Sequence, residues 1–387
     1  EEKRLGKGAG QRMQDQYLPI LLNNSRYSNR LPIGTEEVLK NFTPATLRKF
    51  YKDWYRPNLQ ALIVVGDIDV QHVEKMIKAT FSDLKNPDKP RPRTQYTVPL
   101  LNKKQFVAVT DKEFTFTVAQ LMIKQPEVIV KTNVDLRNQI IQRLYNQLFS
   151  SRFDELTKQA NPPFLYGSSS IGSFIAGLDA YSSFVMAKPG ELERGFKATL
   201  TEVERVKRFG FQQTELDRAK TAFMAGAENS YNERDKTDSK TFVQKYLGHF
   251  LKGAPYSSIA FEYDFYRQNI DGIQLSEVNA LTKKYITESN QDVIILGPEK
   301  DKEILPNKAT VDNWISSVKQ ATIKPYIDQV SDQPLIATKP KSGTIVAEQQ
   351  DKELGTTQLT LSNCLKVVLK PTDFKNDAIN FNGFCAG

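Results

Sequence analysis

The sequence has 387 residues, with 53 Lys+Arg against 45 Asp+Glu and a formal net charge of +8. This length predicts two or three domains, and a hydrophobic content of 39% excludes disorder for the bulk of the chain. The absence of any run of 18 apolar residues excludes a transmembrane helix. The sequence contains only two histidines, His72 and His249, so a metal site built from several histidines cannot be assembled within it.

The first hundred residues alternate between helical and strand patterns. Residues 3–22 are predicted to be helical, and Thr43 followed by Pro44 is typical of a helix start. Residues 59–65 (LQALIVV) form an apolar run without alternation, which predicts a strand that is buried on both faces. A helix is predicted over 70–81, and together these elements indicate an α+β or α/β architecture.

A second unit follows the proline-rich residues 82–100, which are the best candidate for a domain boundary. Residues 105–110 and 115–123 alternate as strands, and residues 166–175 and 180–186 are predicted to form an antiparallel pair. Helices are predicted over 134–159, 192–208, 214–231, 238–251, 259–269, 276–286 and 311–320, with a strand over 292–296.

The last part of the sequence has a different composition. Residues 323–352 are rich in Pro, Lys, Ser and Gln and are predicted to be a linker. Residues 355–387 return to strand alternation. Because the chain begins at Glu1 without a helix cap and stops within a strand pattern, we expect it to be an internal part of a longer protein.

Several isolated features each favour a structural interpretation. His72 is expected in the solvated first turn of a helix, and His249 in a packed or surface position. The basic stretch 85–93 (KNPDKPRPR) is typical of a solvated linker, with a partner-binding patch as the alternative. Four other features carry no strong chemical signal: the glycines Gly6, Gly8 and Gly10, the serines 168–170, the pair Asp67 and Asp69, and the reduced Cys364 and Cys385.

Several short segments together resemble the pitrilysin/insulinase family of zinc peptidases. In order, they are Glu1-Glu2, residues 12–19 (RMQDQYLP), 25–34 (SRYSNRLPIG), 50–57 (FYKDWYRP) and 64–69 (VVGDID). Further likenesses are Glu233-Arg234-Asp235 with Ser239, Phe250-Leu251 before Pro255, residues 361–363 (LSN) and residues 367–375 (VVLKPTDFK). The resemblance covers almost the whole chain and is strongest to single-chain bacterial members.

The resemblance implies a zinc site that this sequence contains only in part. The family uses an H-x-x-E-H motif, in which two His bind Zn²⁺ and the Glu acts as general base, with a further Glu as third ligand. The sequence contains no H-x-x-E-H, so we expect that motif upstream of Glu1. Glu2 matches the third-ligand position. Zinc is therefore expected in the intact parent protein and not in this chain alone.

The resemblance also implies an α+β fold of repeated mixed or antiparallel sheets with helices packed on them. It places residues 1–97 in the C-terminal part of a first, catalytic domain and residues 98–325 in a second, non-catalytic domain. Residues 326–352 are then a linker, and residues 353–387 are the opening strands of a third domain.

Two functional hypotheses follow. In the first, the chain belongs to a zinc endopeptidase that hydrolyses peptides or unfolded polypeptides in an enclosed chamber, and the chain itself is inactive. In the second, it is a non-catalytic homologue that acts as a peptide-binding or partner scaffold. A nucleic-acid-binding module is disfavoured, because the basic residues are not concentrated in one stripe. Self-association through an incomplete first domain and a periplasmic or cell-envelope location are further expectations.

Overall fold

The computed structural model describes residues 8–31, 34–329, 333–334 and 336–385, and these form an α+β structure with two sheets. Its helices are α1 (Ala9–Leu21), α2 (Glu36–Asn41), α3 (Pro44–Trp54), α4 (Val70–Phe81), α5 (Asn133–Thr157), α6 (Leu192–Phe209), α7 (Gln213–Asn232), α8 (Ser239–Lys252), α9 (Ile259–Asn269), α10 (Leu275–Tyr285) and α11 (Lys308–Gln320). Its strands are β1 (Lys104–Asp111), β2 (Val118–Pro126), β3 (Tyr166–Ser173), β4 (Leu178–Met186), β5 (Gln291–Pro298), β6 (Ile345–Asp351), β7 (Thr356–Leu361) and β8 (Lys366–Leu369).

The larger sheet has five strands in the order β1-β5-β2-β4-β3. Strand β1 runs parallel to β5, and the other neighbours are antiparallel. The predicted pairing of β3 with β4 is confirmed, with Tyr166 opposite Met186. The turn between them places Ala176 and Gly177 at positive φ, of 58° and 76°, a conformation that glycine adopts at little cost.

The main core lies between one face of this sheet and the helices of the second unit. Helix α5 contributes Ile140, Leu144 and Phe149 to it, and these pack with residues of β2, β4 and α6. The spacing of the apolar residues on α5 is that of one helical face, which explains why the helix lies flat on the sheet.

The opposite face of the same sheet is covered by the N-terminal helix. Leu18, Leu21 and Leu22 at the end of α1 pack with Met122 of β2 and Ile294 of β5. Strands β2 and β5 are therefore covered on both sides, which explains their nearly continuous apolar sequences. Helix α1, although it is the first helix of the described residues, packs as part of the second unit.

The predicted buried strand over residues 59–65 is wrong. The structure has the end of a 3₁₀ helix and then no regular secondary structure there, and the side chains of Leu62 and Val64 are 56% and 45% exposed. The physical reason is that an apolar run becomes a buried strand only where neighbouring strands pair with it. No described strand lies beside it.

The smaller sheet has the order β6-β7-β8, with antiparallel neighbours. Its first strand, β6, covers residues 345–351 of the predicted linker 326–352, so this part of the linker is a strand. The strand was not predicted, because the consecutive residues Glu348, Gln349 and Gln350 make both of its faces polar. A strand that is exposed on both faces lacks the alternation on which the prediction relied.

Candidate functional site

The predicted zinc ligand Glu2 lies outside the described residues. Within the described part of the chain, no group of three His, Cys, Asp or Glu side chains could hold a metal ion. His72 is exposed in the first turn of α4, where its backbone N–H donates to the Asp69 carboxylate that caps the helix. His249 Nδ1 lies 2.8 Å from the Ala254 carbonyl oxygen, and its ring packs edge-on against Tyr256.

The serine cluster and the motif residues of the second unit have structural surroundings. Ser169 is buried and its hydroxyl lies 2.6 Å from that of Tyr181. Glu233 follows α7 and is buried, and its Oε1 accepts a hydrogen bond of 2.6 Å from the backbone N–H of Asp377. Phe250, by contrast, is largely exposed near the end of α8.

Helix α1 is the first described element after Glu2, and buried charges fix its C-terminal end. The Lys124 ammonium donates to the carbonyl of Leu21, and it lies 2.8 Å from Asp292 Oδ2. Both charged side chains are almost fully buried. A cation at a helix C-terminus stabilises the unpaired carbonyls of the last turn. Burial raises the pKa of Asp292, and Lys124 offsets part of that rise.

A neutral side chain extends the same network. Gln105 on β1 donates to the Ile20 carbonyl at 3.2 Å, to Asn23 Oδ1 at 2.8 Å and to Asp292 Oδ1 at 2.7 Å. The end of α1 is therefore bonded to β2 through Lys124 and to β1 through Gln105, the two strands that flank β5. Buried polar groups that are bonded in this way define one arrangement of the elements they join.

The N-terminal half of α1 is held by a second ion pair. Arg12 Nε donates to Asp111 Oδ2 at 2.7 Å, and Arg12 Nη2 donates to Glu113 Oε2 at 2.8 Å. The hydrogen bond from Arg12 lowers the pKa of Asp111 to about 2. Helix α1 is thus attached near both ends to the second unit.

Sequence reasoning missed this attachment, although a signal was present. Lys124 is a charged residue within the apolar run of β2, and Asp292 opens the apolar run of β5. Charged residues are almost never fully buried unless they are paired, so two such residues in buried strands predict an ion pair. The identity of their third partner, the Leu21 carbonyl, could not be read from spacing.

Comparison with known proteins places this fold in a class. Residues 41–223 match the family model described as the peptidase M16 inactive domain. The chain is 26% identical over 388 residues to a zinc protease PQQL-like protein of Arabidopsis thaliana, with all of this chain and 38% of the relative aligned. It is 28% identical over 260 residues to the probable zinc protease PqqL of Escherichia coli, which covers 67% of this chain and 28% of that protein.

The solved structures agree on the fold. The crystal structure of the periplasmic protease PqqL from Escherichia coli superposes with a TM-score of 0.78 at 22% identity, covering 95% of this chain and 41% of that one. Residues 41–223 are therefore similar to an M16 inactive domain, and the chain is homologous to the PqqL-like zinc proteases. It spans well under half the length of these relatives. No helix among the described residues is long and apolar enough to cross a membrane.

Proposed function

We propose that this chain is part of a zinc endopeptidase that hydrolyses peptides or unfolded polypeptides in an enclosed chamber. Homology to zinc proteases along the whole chain supports the reaction class. The structural observation that carries the proposal is the attachment of α1 near both ends, through Lys124 and Arg12. Glu2 lies a few residues before this helix in the sequence.

In this proposal, the residues that carry out hydrolysis lie outside this sequence, in the rest of the parent protein. Zinc would polarise a bound water when held by two His and a Glu, with a further Glu as base. This sequence has no H-x-x-E-H motif, and the described residues hold no donor set for a metal. We therefore expect the chain alone neither to bind zinc tightly nor to cleave peptides.

Peptidase assays of the purified chain test this expectation. A quenched fluorescent peptide and unfolded casein are incubated with the chain, with and without ZnCl₂. We expect no cleavage above a heat-treated sample. Cleavage that EDTA abolishes and added Zn²⁺ restores would contradict the proposal that the chain alone is inactive.

The role of Glu2 is tested in the full-length protein by metal analysis. We expect Glu2→Gln to lower the zinc content measured by mass spectrometry, because the substitution removes an anionic ligand. Glu1→Gln is the matched control and should leave the zinc content unchanged. Equal zinc content in both variants would assign the third ligand elsewhere.

A second candidate function is a non-catalytic scaffold that binds peptides or a partner protein. The family model over residues 41–223 describes an inactive domain, which is compatible with this function as well as with the non-catalytic domain of an endopeptidase. The sequence N-terminal to Glu1 discriminates the two functions. An H-x-x-E-H motif there supports the endopeptidase, and a complete first domain without it supports the scaffold.

We further propose that the exposed apolar face of helices α2–α4 packs on another part of the first domain, or on a second copy of the chain when that part is missing. Large apolar side chains such as Leu47, Phe50 and Met76 are exposed on it, and such patches mark interfaces. Light scattering of the isolated chain tests self-association. A strictly monomeric chain at all concentrations would remove the second-copy alternative.

The remaining proposals concern location and partners. The solved PqqL structure is described as that of a periplasmic protease, which supports a periplasmic or cell-envelope location here. Fractionation of cells that express the tagged full-length protein tests it. We propose a polypeptide substrate and no nucleic-acid partner.

A further inference from the structure

Helix α7 is contacted at both ends by the segments that flank the β6–β8 sheet in the chain. At its N-terminal end, Gln212 and Thr214 donate to residues Tyr326 and Asp328 of the leading segment, defined as residues 321–328. Arg218 donates to both carboxylate oxygens of Asp328, at 2.7 and 3.0 Å. The leading segment is therefore fixed along the first turns of α7.

The other end of α7 holds the segment that follows β8. We define this strap as residues 373–377. Glu233 Oε1 accepts from the backbone N–H of Asp377 at 2.6 Å, and Asn229 Nδ2 donates to the carbonyl of Asp377 at 3.3 Å. Asn232 Nδ2 donates to Asp377 Oδ2 at 2.9 Å. Two more hydrogen bonds hold the strap. Asn376 Nδ2 donates to the Asn232 carbonyl, and Lys236 Nζ donates to the Asp373 carbonyl.

We infer that the two attachments to helix α7 together set the orientation of the β6–β8 sheet relative to the second unit. We call helix α7 with these two attachments the two-point mount. The strap is the attachment that opens first. The two attachments lie on either side of the small sheet in the chain. A unit that is attached through both its entering and its leaving segment has fewer accessible orientations than a unit attached through one of them. A unit held at one of them can rotate about it.

The leading segment is anchored by burial as well as by hydrogen bonds. The ring of Tyr326 lies 4.1 Å from the guanidinium of Arg152, which is itself buried. Ile323 is buried in the main core. Release of this segment would expose apolar surface and a paired charge, and both changes are unfavourable.

The strap lacks such burial. Phe374 is 79% exposed, and Ile379, two residues after the strap, is 98% exposed. The bonds of the strap lie mostly at the surface, where water competes for each donor and acceptor. The difference between the two attachments identifies the strap as the point that opens first.

Glu233 is the central contact of the strap. Its side chain is buried, and its Oε2 has no hydrogen-bond partner among the described residues, while Lys375 Nζ lies 3.9 Å away. A cavity of about 530 Å³ adjoins it, lined by Thr237, Lys245 and Glu262 among others. The hydrogen bond from the Asp377 N–H is therefore the main polar contact of the Glu233 carboxylate. Water can enter beside the carboxylate when the strap dissociates from α7.

This inference is independent of the zinc chemistry, and it holds equally if the chain belongs to a non-catalytic homologue. A distance measurement on the full chain tests it. Cys364 is exposed at the β7–β8 turn. With Cys385→Ser and with Lys158→Cys at an exposed position after α5, two nitroxide labels report the distance between the small sheet and the second unit by pulsed electron resonance.

The test compares matched variants on the same helix. Glu233→Ala removes the central contact, whereas Glu228→Ala removes an exposed carboxylate of α7 that does not touch the strap. We expect one narrow distance distribution for the parent and for Glu228→Ala, and a broadened distribution for Glu233→Ala. The double variant Asn229→Ala/Asn232→Ala should broaden it as well.

The design stays informative if Glu233→Ala fails to fold, because the double variant changes only partly exposed amides. Far-UV circular dichroism and the unfolding transition confirm an intact second unit. A broad distribution in the parent, or an unchanged narrow one in both strap variants, would overturn the two-point mount.

Discussion

Helices α3 and α5 begin in the same way and end in different environments. Thr43 caps α3 and Thr132 caps α5, each by accepting the backbone N–H three residues later. Helix α5 buries a full face in the main core, whereas none of the residues of α3 is buried. The comparison shows that these sequences specify helices locally, while burial depends on whether a partner surface is present.

The apolar content of the two regions is therefore not a measure of their stability. Leu47 of α3 is 55% exposed and Leu144 of α5 is 0% exposed. Each has the residue type and the position of a core residue. A free-energy gain from removing apolar surface from water arises only where the surface is covered. The helices of region 36–81 leave large apolar side chains exposed, whereas the second unit buries its own apolar face.

The largest expected effect tests whether α1 is part of the packed second unit, like α5, or is loosely attached, like α3. Lys124→Met should lower the free energy of unfolding by about 4 kcal/mol, because Asp292 would stay buried without its counter-charge. Urea denaturation followed by circular dichroism measures the change. The control Lys112→Met alters an exposed lysine and should stay near the parent value. Similar small effects of both substitutions would mean that α1 is only loosely attached.

The next test applies one substitution to both regions. Leu144→Ala should cost about 3 kcal/mol, the sum of lost transfer free energy and a new cavity. Leu47→Ala in this chain should change the free energy of unfolding by less than about 0.5 kcal/mol.

The same pair in the full-length protein sharpens the comparison. There Leu47→Ala should become costly if another part of the first domain covers α3. A large cost for Leu47→Ala already in the isolated chain would contradict the exposed face described above.

These contrasts explain which features could be predicted from the sequence. The cap at Thr43, the β3–β4 pair and the α+β class depend on local patterns, and they were predicted; the cap at Thr132 was seen only in the structure. The predicted strand over residues 59–65 was wrong, because an apolar run becomes a buried strand only where other strands pair with it. The Lys124–Asp292 pair joins residues far apart in sequence, so only its unusual setting within apolar strands was visible in advance.

Loss of a helix N-cap hydrogen bond should have a smaller effect. It should change global stability in α5 and only local stability in α3. Thr132→Ala should lower the free energy of unfolding by about 1 kcal/mol, because α5 unfolds together with the core. Thr43→Ala removes an equivalent bond from α3, whose unfolding is not coupled to that core. Its expected result is faster hydrogen exchange of residues 44–54 with an unchanged urea transition. A shifted transition for Thr43→Ala would show that α3 is coupled to the core after all.

The smallest effect concerns the ion pair between Arg12 and Asp111, which joins α1 to the sheet at its edge. The hydrogen bond from Arg12 holds the pKa of Asp111 at about 2, below its ordinary value of 3.8. Because the folded pKa is depressed, the stabilisation is complete above pH 4 and is lost as the pH falls towards 2. Carbon-detected NMR titration should show the pKa of Asp111 returning towards its ordinary value in Arg12→Gln.

The difference in stability between the parent and Arg12→Gln should likewise shrink between pH 4 and pH 2. A control, Arg30→Gln, alters an exposed arginine without this contact and should leave the Asp111 titration unchanged. If Asp111 titrates near 3.8 in the parent chain, the N-terminal half of α1 is not held by Arg12. The network of Lys124 and Gln105 would then supply the polar attachment of α1, at its C-terminal end, beside the apolar contacts of Leu18, Leu21 and Leu22.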